Sequence, residues 1–278
     1  MGHTILPSEL ATGGAVVDTG MTAVTDAEFT TRNSHFIFTE DYRLRCCVGM
    51  GATITRLNFF VPTWNAYTLQ NVWPLMLSSA NITSPPRTAW FNGSLPIIPQ
   101  NEEIQLNVTD GASENAAAFM IIQTPNLSMN LPAGQQTINV RATCAITQVA
   151  NAWAGPGALT FQQNLRGGVY SIIGGQVVGS GTAAWRLIFP RSRFYMGRRL
   201  RPGWIAQQAI GDLPDPLMQG NEFVFGEWGR FHTFEPPQLE VYSIAGTSAI
   251  THELRLWMVY LGQDEPSLLD SWVAQGWT

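Results

Sequence analysis

Two stretches of this chain, far apart in sequence, are written in one pattern. Residues 104–124 read IQLNVTDGASENAAAFMIIQT and residues 239–259 read LEVYSIAGTSAITHELRLWMV. Each is an alternating segment, a break carrying a glycine (Gly111, Gly246) and an apolar return segment. A second echo precedes each copy in the same order: GATITRLNF at 51–59 falls on GTAAWRLIF at 181–189, with Arg, Leu and Phe coinciding. The two spacings differ by only a few residues, as a small insertion would leave them. Repeats of about 20 to 50 residues mean solenoids or propellers, so one repeat of roughly 130 residues implies two whole domains of a single β fold.

The pattern between and around the echoes agrees. From Phe36 onward, short runs rich in β-branched and aromatic residues alternate with turn residues, at 42–48, 52–61, 104–109, 117–123 and 137–146. Such spacing marks a β-sandwich or barrel. Pro62, Pro74, Pro85, Pro86, Pro96 and Pro99 cannot lie inside central strands, which makes 63–100 a long connection. The second half repeats the layout with strands at 169–178 and 183–189, a connection holding Pro202, Pro214 and Pro216, and strands at 222–228, 239–244 and 254–260. The run Ala-Trp-Ala-Gly-Pro-Gly within 151–157 reads as a turn-rich joint. Residues 1–38 are small and polar without sustained period and read as an arm. The expected organisation is thus an arm over 1–38, a first domain over 39–150, a second over 151–265 and a tail over 266–278. Short helices are expected at 206–210 and 267–275. In the latter Ser267 is the N-cap, and Leu268, Leu269, Trp272 and Val273 form an apolar face too short to stand alone, which must dock on its own domain or a neighbour.

Composition bears on what such a chain does. Charged residues are 13% of the 278, against roughly 25% in ordinary soluble domains. A polar surface with few charges can be buried against copies of itself at little desolvation cost, which favours a subunit of an assembly. All fifteen basic residues are arginine, whose rigid donor fork suits buried contacts and whose presence in place of lysine removes Schiff-base chemistry. The net charge of −5 and the absence of an Arg-rich arm argue against bulk electrostatic wrapping of nucleic acid. Three cysteines, Cys46, Cys47 and Cys144, make no disulfide framework and read as reduced filler. No secretory signal opens the chain and no window approaches 18 uninterrupted apolar residues, so synthesis in the cytoplasm is expected.

Catalytic patterns are lacking. His3, His35, His232 and His252 have no metal-ligand spacing. The Gly-Ser-Gly at 179–181 lies between strands and reads as a hairpin turn or bulge rather than a nucleophile elbow. The glycines of 174–181 fit neither nucleotide fingerprint. Glu102 and Glu103, adjacent at a strand entry, point their side chains apart, and a glycosidase reading would fall back on Glu227 or Asp212. The expectation is a non-enzyme with no cofactor and no metal. One charge cluster stands out: Arg191, Arg193, Arg198, Arg199 and Arg201, interleaved with Phe194 and Tyr195. It suits either phosphate, in lipid headgroups or nucleic acid, or carboxylates of a neighbouring subunit.

Two tandem β domains, long Pro-rich connections, an amino-terminal arm, few charges and a docking tail together resemble the double jelly-roll major capsid proteins of tailless icosahedral bacteriophages, which often enclose a membrane. The resemblance rests on architecture and repeat across nearly the whole chain. It implies an all-β fold of two tandem jelly-roll-type β-sandwiches with few short helices. It further implies a homotrimer of pseudo-hexagonal outline that tiles a shell in the virion. The implied partners are copies of itself, penton or minor capsid proteins, and an internal membrane or the genome at the inner face, where the five arginines would lie. The chain departs from some members in lacking a basic amphipathic amino-terminal helix. A β-sandwich carbohydrate-binding protein, either a virion spike or a secreted lectin, is the alternative from another class, since the ten tryptophans would serve sugar stacking as well as cores.

Overall fold

The computed structural model describes residues 3–10, 15–26, 28–50, 54–65, 76–77, 97–111, 116–124, 137–189, 201–206, 227–244 and 248–263. Over these the chain is all-β, with one turn of helix, α1 (Pro62–Asn65). The first half supplies β1 (His3–Leu10), β2 (Val16–Gly20), β3 (Thr22–Ala23), β4 (Thr30–Arg32), β5 (His35–Ile37), β6 (Tyr42–Met50), β7 (Ile54–Phe60), β8 (Met76–Leu77), β9 (Ile97–Ile98), β10 (Glu103–Asp110) and β11 (Ala116–Gln123). One sheet runs β3-β1-β11-β6-β8, with β9 also on β6. In the other, β10 pairs with β2, β7 and, at its start, β5, which carries β4. The second half supplies β12 (Thr137–Thr147), β13 (Ala152–Ala158), β14 (Thr160–Phe161), β15 (Val169–Val178), β16 (Thr182–Ile188), β17 (Gly203–Ile205), β18 (Gly229–His232), β19 (Gln238–Ser243) and β20 (Ala249–Gly262). Its sheets run β14-β12-β20-β15-β18 and β13-β19-β16-β17.

Inward-facing side chains fill the space within each pair of sheets. Leu6, Leu44, Met120 and Ile122 meet Leu57, Ile104, Leu106 and Val108 in the first half. In the second, Val140, Ala142, Leu254, Leu256 and Met258 meet Trp185, Leu187, Leu239 and Val241. The two pairs then stack. The outward face of the first sheet, with Ile5, Met50, Ala117, Phe119 and Ile121, joins the second cluster, and Phe119 meets Tyr242 edge-on at 5.5 Å. A sheet buried on both faces needs continuous apolar strands, which is why β11 reads AAAFMIIQ without alternation. Its counterpart β20 has one open face and alternates, with Leu254, Leu256 and Met258 inward and Glu253, Arg255 and Trp257 outward.

The sequence repeat is realised in the pairing, down to its irregularities. On the β6–β11 ladder Leu44 faces Ile122 and Cys46 faces Ile121, leaving one residue unpaired; on the β15–β20 ladder Ile172 faces Met258 and Gly174 faces Trp257. On β7–β10, Ile54 faces Asp110 and Arg56 faces Thr109; on β16–β19, Thr182 faces Ser243 and Ala184 faces Tyr242. These bulges place Ile54 on Thr182, two residues away from the match that the shared Arg-Leu-x-Phe letters give. Side-chain direction has a period of two in a strand, so a slip of two keeps every face there; on β11 and β20 the ladders differ by one residue from the letter match, so that Ile121 falls on Trp257 rather than on Leu256.

Three expectations are corrected. Residues 3–10, expected within an arm, form a strand buried on both faces; β1 hides its period because Ile5 faces one core, Leu6 the other, and His3 and Thr4 are buried as hydrogen-bonded polar groups. The joint expected at 151–157 is the edge strand β13, which accommodates Gly155 and Pro156 in a register shift between Ala154 and Gly157. The Gly-Ser-Gly turn does not close a hairpin: it is a corner that takes the chain from β15 in one sheet to β16 in the other, with Gly181 at φ 74° and Thr182 N donating to Gly179 O at 3.1 Å. The expected helix at 267–275, most of that at 206–210 and most of the strand expected at 222–228 lie outside the described residues; the next described strand begins at Gly229.

Candidate functional site

The densest polar constellation among the described residues lies in the seam between the halves. Arg186 stands in the middle of β16 on the face turned to the first half and is 2% exposed. Its guanidinium pairs with Asp26 from the segment between β3 and β4, and its Nε donates to Glu240 Oε2 on β19 at 2.6 Å. The Trp153 ring of β13 lies under it, 3.9 Å from centroid to Cζ. Arg201, just before β17, donates to both Glu240 oxygens at 2.8 and 3.0 Å and to Glu28 Oε1 at 3.3 Å. Burial works against the Arg201 charge, yet Glu240, Asp26 and Glu28 outweigh it and hold its pKa above the ordinary value.

Two guanidinium groups thus face three carboxylates, two from the first half and one from the second. Such a cluster fixes geometry, because removing either arginine leaves buried carboxylates uncompensated. Next to it His3 Nε2 bonds Gly203 O at 3.2 Å, and Thr4 Oγ1 donates to Arg201 O at 2.8 Å, so β1 and β17 are tied by polar groups as well.

Of the five arginines singled out in the sequence, Arg201 is committed to carboxylates of its own chain rather than turned toward a neighbour, while Arg191, Arg193, Arg198 and Arg199 lie outside the described residues, as do Leu268, Leu269, Trp272 and Val273. The residues that dominate the seam, Arg186, Asp26, Glu240 and Trp153, did not stand out in the sequence. A signal for Arg186 existed: an arginine inside the apolar run AAWRLIF is costly unless it is paired.

Of the acids named for catalysis, Asp212 lies outside the described residues and the others are engaged. Glu102 accepts from Thr63, and Glu103 pairs with Arg32 and His35, so the adjacent carboxylates do diverge. Glu227 accepts from Ser171 Oγ at 3.0 Å and from Arg230. His252, on β20, shares a buried cluster with Thr182 Oγ1 at 2.8 Å and Gln148 Nε2 at 3.3 Å, and desolvation lowers its pKa. Among the described residues no three His, Cys, Asp or Glu side chains converge as a metal site would require. Cys47 and Cys144 are buried and unbridged, and burial pushes the Cys144 thiol up to about 11. Comparison with known proteins returns no matching family model, curated protein or solved structure.

Proposed function

We propose that each half is a jelly roll and that the chain is a major capsid subunit, three copies of which form a capsomer of pseudo-hexagonal outline in an icosahedral virion. The observation that carries this is strand order. Set aside the two-residue β14, and the eight remaining strands of the second half make one sheet of the first, eighth, third and sixth, and another of the second, seventh, fourth and fifth. That is the order a jelly roll of two Greek keys produces, an architecture of viral capsid and lectin domains. In the first half β1, β11, β6 and β9 take the places of the first sheet, and β2, β10 and β7 take those of the second.

The seam supports the capsid reading over a pair of independent binding modules. Linked modules that act separately need only a flexible joint, whereas here an apolar face and a buried ion cluster fix one half against the other. A rigid pair of like domains is the unit from which three chains give six near-equivalent edges. The low charge suits a surface that is covered in assembly. Light scattering on the eluting protein tests the reading: a trimer near three times 30.6 kDa, or larger shells, is expected, and a monomer at high concentration contradicts it.

A further inference from the structure

We propose that the outward face of the β12–β20–β15 sheet of one chain docks on the outward face of the β2–β10–β7 sheet of a second copy, repeating between chains the contact that joins the halves within one. The contact within the chain is made of unlike faces: the first half offers its β1–β11–β6 sheet, and the second offers its β13–β19–β16 sheet. Because seven strands of the first half take the places of seven in the second, this leaves two further faces equivalent to the two already joined. A contact between unlike faces is head-to-tail, and it closes a ring if the rotation allows. Closure at three chains rests on the capsid reading above.

The residues at equivalent positions fit. The matched ladders put Phe119, which meets Tyr242 in the seam, on Arg255, and Ile121, buried in the seam, on Trp257. Trp257 stands half-buried on β20, the central strand, beside Asn139, Arg141, Thr143 and Glu253, on a face that is covered toward Val259 and Ser171 and open toward β12, and a large aromatic ring in a polar surround is what anchors interfaces. On the receiving face, the ladders put Tyr242 on Thr109 and Trp153 at the irregularity where β2 carries Val17 and Asp18. Val17 is 77% exposed and Phe60, on the same sheet, 41%, two large apolar side chains that the folded chain leaves in water. Asp18 follows Val17, its backbone N donating to Thr109 Oγ1 at 3.1 Å and its exposed carboxylate accepting from Asn58 Nδ2 at 2.6 Å. The position equivalent to the Phe119–Tyr242 contact therefore brings Arg255 to Thr109 and Asp18, a cation to an anion.

Charge exchange in the full-length protein tests this. Arg255→Glu and Asp18→Arg lie on the surface, and each alone is expected to weaken trimer association at least tenfold in light-scattering dilution series. The double variant, which restores opposite signs across the contact, is expected to recover it. Circular dichroism on each variant reports folding separately. If wild type is trimeric and both single variants stay trimeric at the same concentrations, or if the double variant fails to recover, the face assignment is overturned while the capsid reading stands. A monomeric wild type overturns both.

Discussion

Arg186 shows what a single residue contributes to this molecule. It is almost fully buried, paired on two sides and stacked on an indole, so replacing Asp26 removes one of its two carboxylates and leaves it to Glu240, which Arg201 already shares. Asp26→Asn is expected to destabilise the protein by about 1.5–3 kcal/mol in urea unfolding, the range for losing a hydrogen bond between charged groups, and an unchanged unfolding midpoint would mean that the Asp26 contact contributes nothing. His252 sets a pH dependence. Its folded pKa lies below the unfolded value of 6.5, so the unfolded chain takes up a proton that the folded chain resists. Its contribution to stability is therefore complete above 6.5 and lost as the pH falls below it. His252→Gln keeps a hydrogen-bonding side chain but cannot titrate there, so acidification from about pH 8 to about pH 5.5 should cost wild type more stability than the variant. Equal losses would show that His252 is not the group responsible.

At the scale of elements, strands with one open face were legible by alternation and β11 and β16 by their apolar runs, whereas β1, which mixes polar and apolar residues on two covered faces, was not. β10, β12 and β20 alternate in sequence as they do in burial. β1 carries Ile5 to one core and Leu6 to the other, with His3, Thr4 and Ser8 buried by tertiary contacts, so no local period survived to be read. β13 was hidden differently, by Gly155 and Pro156 in an edge strand where a bulge tolerates them. Sequence spacing also could not tell a hairpin from a corner between sheets, because a short Gly-rich turn serves both. Close approach of β17 to β16 depends on Gly203, where a Cβ would fall well inside contact with the Trp185 carbonyl and the Arg186 backbone. Gly203→Ala is expected to push β17 off and lower stability by roughly 1–3 kcal/mol, as overpacking does, with weakened Arg201 and Glu240 pairing as its spectroscopic companion in NMR; an unshifted unfolding midpoint would contradict that packing.

For the whole molecule, the repeat was the most legible feature and the seam the least. Duplication shows in sequence because each half keeps its own inward pattern. The seam joins positions far apart in the chain, Asp26 to Arg186 and Ile5 to Tyr242's sheet, which no local period encodes. Burying Ile5, Phe119 and Ile121 against the second half contributes about 1.5–3 kcal/mol for each side chain, so the halves should melt together. A single calorimetric transition is expected, and two well-separated transitions would show that the seam couples them weakly. The central claim, that two like jelly rolls are held rigidly together to supply two of six positions in a capsomer, is tested most directly by electron microscopy of the purified oligomer. The account predicts class averages with six lobes about a three-fold axis, and averages showing only isolated two-lobed particles would contradict it.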